Sequence, residues 1–119
     1  MARILVADDD ASLRTLVVKT LAGEGHDIVA VSDGLEAAEQ LRASSFDLVV
    51  SDLDMPGLDG MGLTAKVLSS GAARRILLMS AHSDELERAQ GFPPDRVATL
   101  HKPFKLEALR ARVRDLLLG

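Results

Sequence analysis

The apolar run Ile4-Leu5-Val6-Ala7 breaks directly into three acids, Asp8-Asp9-Asp10, and no other feature restricts the fold as much. A short apolar run without alternation reads as a strand buried on both faces, the kind that parallel sheets use. Adjacent acids at the mouth of such a strand repel one another, and the crowding is tolerable where a cation sits. The pattern recurs. Phe46-Asp47-Leu48-Val49-Val50-Ser51-Asp52 is a second apolar strand ending in an acid. Arg75-Ile76-Leu77-Leu78-Met79-Ser80 ends in a hydroxyl, and Val97-Ala98-Thr99-Leu100-His101-Lys102 ends in an amine before Pro103. Acid, acid, hydroxyl and amine all fall at carboxyl ends of strands, where open α/β sheets build their sites.

Helical segments alternate with these strands. Leu13, Leu16, Val17, Thr20 and Leu21 share one helical face, with Asp10 or Ser12 as cap and Gly23 or Gly25 as stop. Asp27 to Val31 is a short strand. Asp33 opens a second helix with Glu36 as its capping-box partner and with Leu35, Ala38 and Leu41 facing inward. A loop with Pro56, Gly57 and Gly60 leads into a helix to about Ser70. Ser83 caps a short fourth helix that Gly91 and Pro93-Pro94 stop. The last helix runs from about Lys105 to Leu118, with Leu106, Leu109, Val113, Leu116 and Leu117 as its buried stripe. Five strands alternating with five helices predict a parallel sheet covered on both faces, with right-handed crossovers.

A chain of 119 residues that is 47% hydrophobic is one globular domain spanning 1–119, long enough for a real core. A net charge of −4 argues against direct nucleic-acid binding. No apolar run reaches transmembrane length, and the first residues are not a signal peptide, so the expected setting is cytoplasmic with no membrane partner. With no cysteine there is no thiol chemistry. His26, His82 and His101 lack metal-ligand spacing and are expected at the surface or its boundary.

The four strand-end motifs together resemble the receiver domain of two-component response regulators, CheY-like proteins. The resemblance rests on Ile4 to Asp10, on Asp52-Leu53-Asp54-Met55-Pro56-Gly57-Leu58-Asp59-Gly60, on Met79-Ser80-Ala81 and on Lys102-Pro103-Phe104. It covers essentially the whole chain. It implies a flavodoxin-like, doubly wound five-stranded sheet of order 2-1-3-4-5 with five helices. It also implies that Asp52 accepts a phosphoryl group from a sensor histidine kinase or a histidine phosphotransfer protein. Mg²⁺ would be ligated by Asp9, Asp52 and the backbone carbonyl of Asp54, with Asp8 acting through water. Ser80 and Lys102 would hold phosphoryl oxygens, and the Lys102–Pro103 bond would be cis. A carboxylate can form an aspartyl-phosphate, and clustered carboxylates suit Mg²⁺ with waters and phosphate.

In that family an aromatic residue three positions before the lysine turns inward as the hydroxyl moves toward the phosphoryl group. Here the position is Thr99, too small for that relay, and Gly91-Phe92-Pro93-Pro94-Asp95 replaces the usual helix end. The expectation is a switch that uses Ser80 without the aromatic. Asp54 and His82 occupy positions that tune phosphoryl lifetime in the family. The cations of the last helix (Lys105, Arg110, Arg112 and Arg114) read as a solvated face, on a surface that the family often uses for partners. The leading reading is a phosphorylation switch or relay with a downstream protein partner, monomeric or weakly dimeric. It would be no enzyme beyond its own phosphorylation and dephosphorylation. Nothing after the last helix supplies an output domain, and Met1 favours a free-standing protein over a fragment of a hybrid histidine kinase. The alternatives are that fragment or a receiver-like adaptor indifferent to phosphate. An aspartate-nucleophile hydrolase is disfavoured, because Asp52-Leu53-Asp54 falls on the third strand and the chain is short.

Overall fold

A computed structural model describes residues 2–118. Ten elements alternate in it: β1 Arg3–Ala7, α1 Ala11–Gly23, β2 Asp27–Val31, α2 Gly34–Ala43, β3 Phe46–Asp52, α3 Gly60–Ser70, β4 Ala73–Ser80, α4 Ser83–Ala89, β5 Val97–His101 and α5 Leu106–Leu118. All strand pairs are parallel and the order is β2-β1-β3-β4-β5, as the alternation and the resemblance imply.

The apolar runs are continuous because both faces of the sheet are covered. Leu5, Val49, Ile76 and Leu78 pack with Ala37, Leu41, Leu63, Val67 and Ala89, so α2, α3 and α4 cover one face. Ile4, Val6, Val50, Leu77 and Met79 pack with Val17, Leu21, Leu109 and Val113, so α1 and α5 cover the other. Each strand therefore sends alternate side chains into two separate cores.

Three local expectations need correction. Leu35 does not face inward: it is 61% exposed, and the buried stripe of α2 is Gly34, Ala37 and Leu41. One helical position separates the two stripes. Gly34 has to face in because nothing larger fits, and that turns its neighbour outward. Glu36 finds its main partners in Ser32 rather than in the Asp33 N–H, which makes a lesser contribution. Asp33 Oδ1 accepts the Glu36 N–H at 2.8 Å, but the Glu36 carboxylate reaches back to the N–H and hydroxyl of Ser32. Those two donors hold the Glu36 carboxyl below its ordinary range. Ser83 is the first residue of α4, not its cap; His82 takes the cap position and offers no side-chain hydrogen bond. On α5, Arg114 is exposed as expected of a solvated face, and it pairs with Glu24 at 2.5 Å.

Candidate functional site

The parallel register places the reactive residues together. Ala7 pairs with Ser51, Asp52 with Met79, and Ser80 with His101, so the carboxyl ends of β1, β3, β4 and β5 meet in one rim. Main-chain bonds continue past the strands: Leu53 N–H donates to Met79 O at 2.9 Å, and Lys102 N–H donates to Ser80 O at 2.7 Å. The Lys102–Pro103 peptide bond is cis.

The three acids at the end of β1 have divided their tasks. Asp10 is the N-cap of α1, and its Oδ1 accepts the N–H groups of Ser12 and Leu13. Asp8 is fully buried. Its Oδ1 accepts the Asp10 N–H at 2.9 Å, and Arg14 Nη1 donates to its backbone carbonyl at 2.7 Å. Asp9 is exposed beside it. Carboxylate oxygens of Asp8, Asp9 and Asp52 lie within 4.8 Å of one another.

Asp52 is 7% exposed at the end of β3. Its Oδ1 accepts the Asp54 N–H at 3.3 Å, and its Oδ2 accepts from Lys102 Nζ at 3.1 Å. The same Nζ stands 3.6 Å from Asp8 Oδ2, too far for a hydrogen bond. That oxygen has no hydrogen-bond partner. One lysine thus faces a site with three carboxylates. Burial holds the Asp8 carboxyl above its ordinary range; the Asp10 N–H and Lys102 pull it down, and the charges of Asp52 and Asp9 push it up again.

An orphaned buried oxygen, crowded acids and an incomplete counter-charge are what a divalent cation would correct. The donor set is all oxygen, as Mg²⁺ prefers. The sign of the Asp8 shift makes this testable. A carboxyl whose pKa is raised by folding contributes stability below its unfolded pKa and loses it as pH rises through the folded one. As pH rises through the folded pKa, the metal-free fold therefore bears a growing cost of ionised Asp8. Asp8→Asn is expected to raise the metal-free melting temperature by about 4 °C, roughly 1 kcal/mol, and to weaken Mg²⁺ binding at least about tenfold. Thermal unfolding by circular dichroism with and without Mg²⁺ reads both.

Ser80 is 1% exposed at the end of β4, but its hydroxyl is turned toward α4. Its Oγ accepts the His82 N–H at 2.9 Å and donates to Glu85 Oε1. Asp52, Asp54, Ser80, Glu85 and Lys102 border one cleft. Sequence reasoning passed over Glu85, because Asp84 and Glu85 look like an ordinary acidic first turn. The one signal available was its spacing from Ser80, which brings the first turn of α4 back over the strand end. Thr99 is half-buried on β5, away from the carboxylates, beside Phe92 and Pro94 in a groove between the end of α4 and β5. His26 is half-buried, and His82 and His101 are exposed. No helix among the described residues is long and apolar enough to cross a membrane.

The comparisons with known proteins agree with this geometry. The family model for the response regulator receiver domain matches residues 4–114. Response regulator MprA of Mycobacterium ulcerans is 37% identical over 115 residues, 97% of this chain but 50% of that protein. The chain therefore spans about half the length of the MprA relatives it matches. Among solved structures, chemotaxis response regulator CheY4 of Vibrio cholerae superposes with a TM-score of 0.88 at 26% identity, covering 98% of this chain and 99% of that one. Response regulator TrrA of Thermotoga maritima, solved in complex with Mg²⁺ and BeF, gives a TM-score of 0.87 at 30% identity, covering 98% and 100%. With its fold, its rim of strand-end residues and these relatives, the chain belongs to the response regulator receiver domain family.

Proposed function

We propose that residues 1–119 form one receiver domain whose Asp52 accepts a phosphoryl group from a phosphohistidine on a sensor histidine kinase or a phosphotransfer protein. The observation that supports this most is Asp52 itself: a nearly buried carboxylate with one oxygen on Lys102 and two further acids beside it. A carboxylate oxygen of Asp52 attacks phosphorus as the phosphorus–nitrogen bond breaks, and the departing imidazole leaves neutral, its ring having taken a proton from solvent. The product is an acyl phosphate. Mg²⁺ held by Asp8, Asp9, Asp52 and the Asp54 carbonyl would supply charge neutralisation for the phosphoryl oxygens. Lys102 exchanges its contact with Asp52 Oδ2 for a phosphoryl oxygen, and Ser80 donates its hydroxyl to another. Both groups stand on fixed strand ends, so only their side chains have to move. The domain works on its own carboxylate, and its output is altered contact with a protein partner.

Intact-mass spectrometry after incubation with acetyl phosphate and Mg²⁺ tests the reading. A single phosphoryl adduct is expected on the wild type, and none on Asp52→Asn or in the presence of EDTA. An adduct that persists on Asp52→Asn would move the acceptor elsewhere. No adduct on the wild type would leave the phosphate-independent adaptor.

A further inference from the structure

We infer that Glu85 is the positioning residue that holds Ser80 away from the acceptor and, through it, fastens the first turn of α4 to the rim. The inference rests on the phosphoacceptor reading of Asp52. Three observations carry it. First, the Ser80 hydroxyl has a single proton, and at 2.5 Å Glu85 Oε1 is its nearer acceptor; the alternative, His82 O, lies at 3.3 Å. Second, the same Oγ accepts the His82 N–H at 2.9 Å, so one atom makes two hydrogen bonds to the segment that starts α4. Third, that start has no side-chain cap of its own. Caps ordinarily satisfy a helix's free N–H groups. Here Ser80 ties the start of α4 to the sheet beside the weaker, uncharged contact of Ser83 Oγ with His101 Nε2 at 3.3 Å, and the charged partner makes the Ser80 bond one of the stronger kinds.

Ser80 cannot donate to Glu85 and to a phosphoryl oxygen at once. When it turns to the phosphoryl group, it gives up both contacts with α4. Glu85 then becomes a free carboxylate beside a newly dianionic group, and repulsion drives the short helix outward. Signal transfer through α4 needs nothing from Thr99, which accounts for a receiver that lacks the aromatic.

Hydrogen exchange of the α4 peptide, read by mass spectrometry on the metal-free unphosphorylated protein, tests the tie directly. Glu85→Ala is expected to speed exchange in that segment about tenfold. Glu85→Gln, which keeps an acceptor oxygen, should retain most of the protection. With Ser80→Ala already in place, Glu85→Ala should add nothing, a coupling that a merely structural role would not show. In the wild type, the acyl phosphate should raise exchange in the same peptide. The idea fails if Glu85→Ala leaves exchange unchanged, if its effect is the same without the Ser80 hydroxyl, or if an adduct forms while α4 stays protected. Absence of any wild-type adduct would instead overturn the acceptor reading, and the donor-free comparison of variants would still decide the role of Glu85.

Discussion

Gly34→Ala is expected to lower stability by about 3 kcal/mol, which moves the urea midpoint down by roughly 2 M. A Cβ at Gly34 would lie 1.7 Å from the carbonyl oxygen of Leu58 and 2.6 Å from its carbon, and backbone cannot give way as a side chain does. Either α2 lifts off the sheet or the loop after β3 is displaced, and that loop carries Asp54. The dihedral angles play no part, since Gly34 is not among the positive-φ glycines. Gly23→Ala is the control: nothing lies within 4 Å of its Cβ at the end of α1, and the change should be neutral or stabilising by up to about 1 kcal/mol. Denaturation has to be followed by circular dichroism, because the chain has no tryptophan or tyrosine. Equal midpoints for the two variants would show that α2 and the loop are not in contact as described.

Lys102→Met is expected to cost about 3 kcal/mol in EDTA and much less in millimolar Mg²⁺. The substitution keeps most of the stem but deletes the ammonium group that pairs with Asp52 Oδ2 at 3.1 Å and faces Asp8 Oδ2 at 3.6 Å. Removing one partner of a nearly buried pair leaves an uncompensated charge, which costs more than the pair itself gains. Here two buried carboxylates would lose their counter-charge together, and the Asp8 carboxyl would rise further. A divalent cation should restore the balance, so the Mg²⁺-induced gain in melting temperature should exceed that of the wild type. A variant as stable as wild type in EDTA would show that water already screens the acids.

The sheet and the rim were legible in the sequence because both depend on position along a strand. An apolar run ending in Asp52, Ser80 or Lys102 puts that residue at a mouth whatever the neighbours do. The faces of short helices were harder to read. Leu35 looked like core because leucine usually is, yet the stripe of α2 is fixed by Gly34, whose contact with Leu58 spans 24 residues and leaves no periodic trace. Ser83 looked like a cap for the same local reason, while the true constraint comes from Ser80 beneath it. The Ser80–Glu85 bond was out of reach because Ser80 was read toward the phosphoryl group and nothing periodic links it to Glu85. Only the turn between β4 and α4 brings them together.

The main-chain bonds from Leu53 to Met79 and from Lys102 to Ser80 have a temporal consequence. They lock the strand ends into a stationary frame, so Asp52, Ser80 and Lys102 can change partners only by rotating side-chain torsions. Rotating a single side chain is fast compared with displacing a packed segment, which takes microseconds or longer. The domain therefore runs on two clocks. Under the proposed acceptor role, hydrogen-bond partners at the rim re-sort first, while anything reading α4 receives a delayed copy in which brief fluctuations at the rim are averaged out.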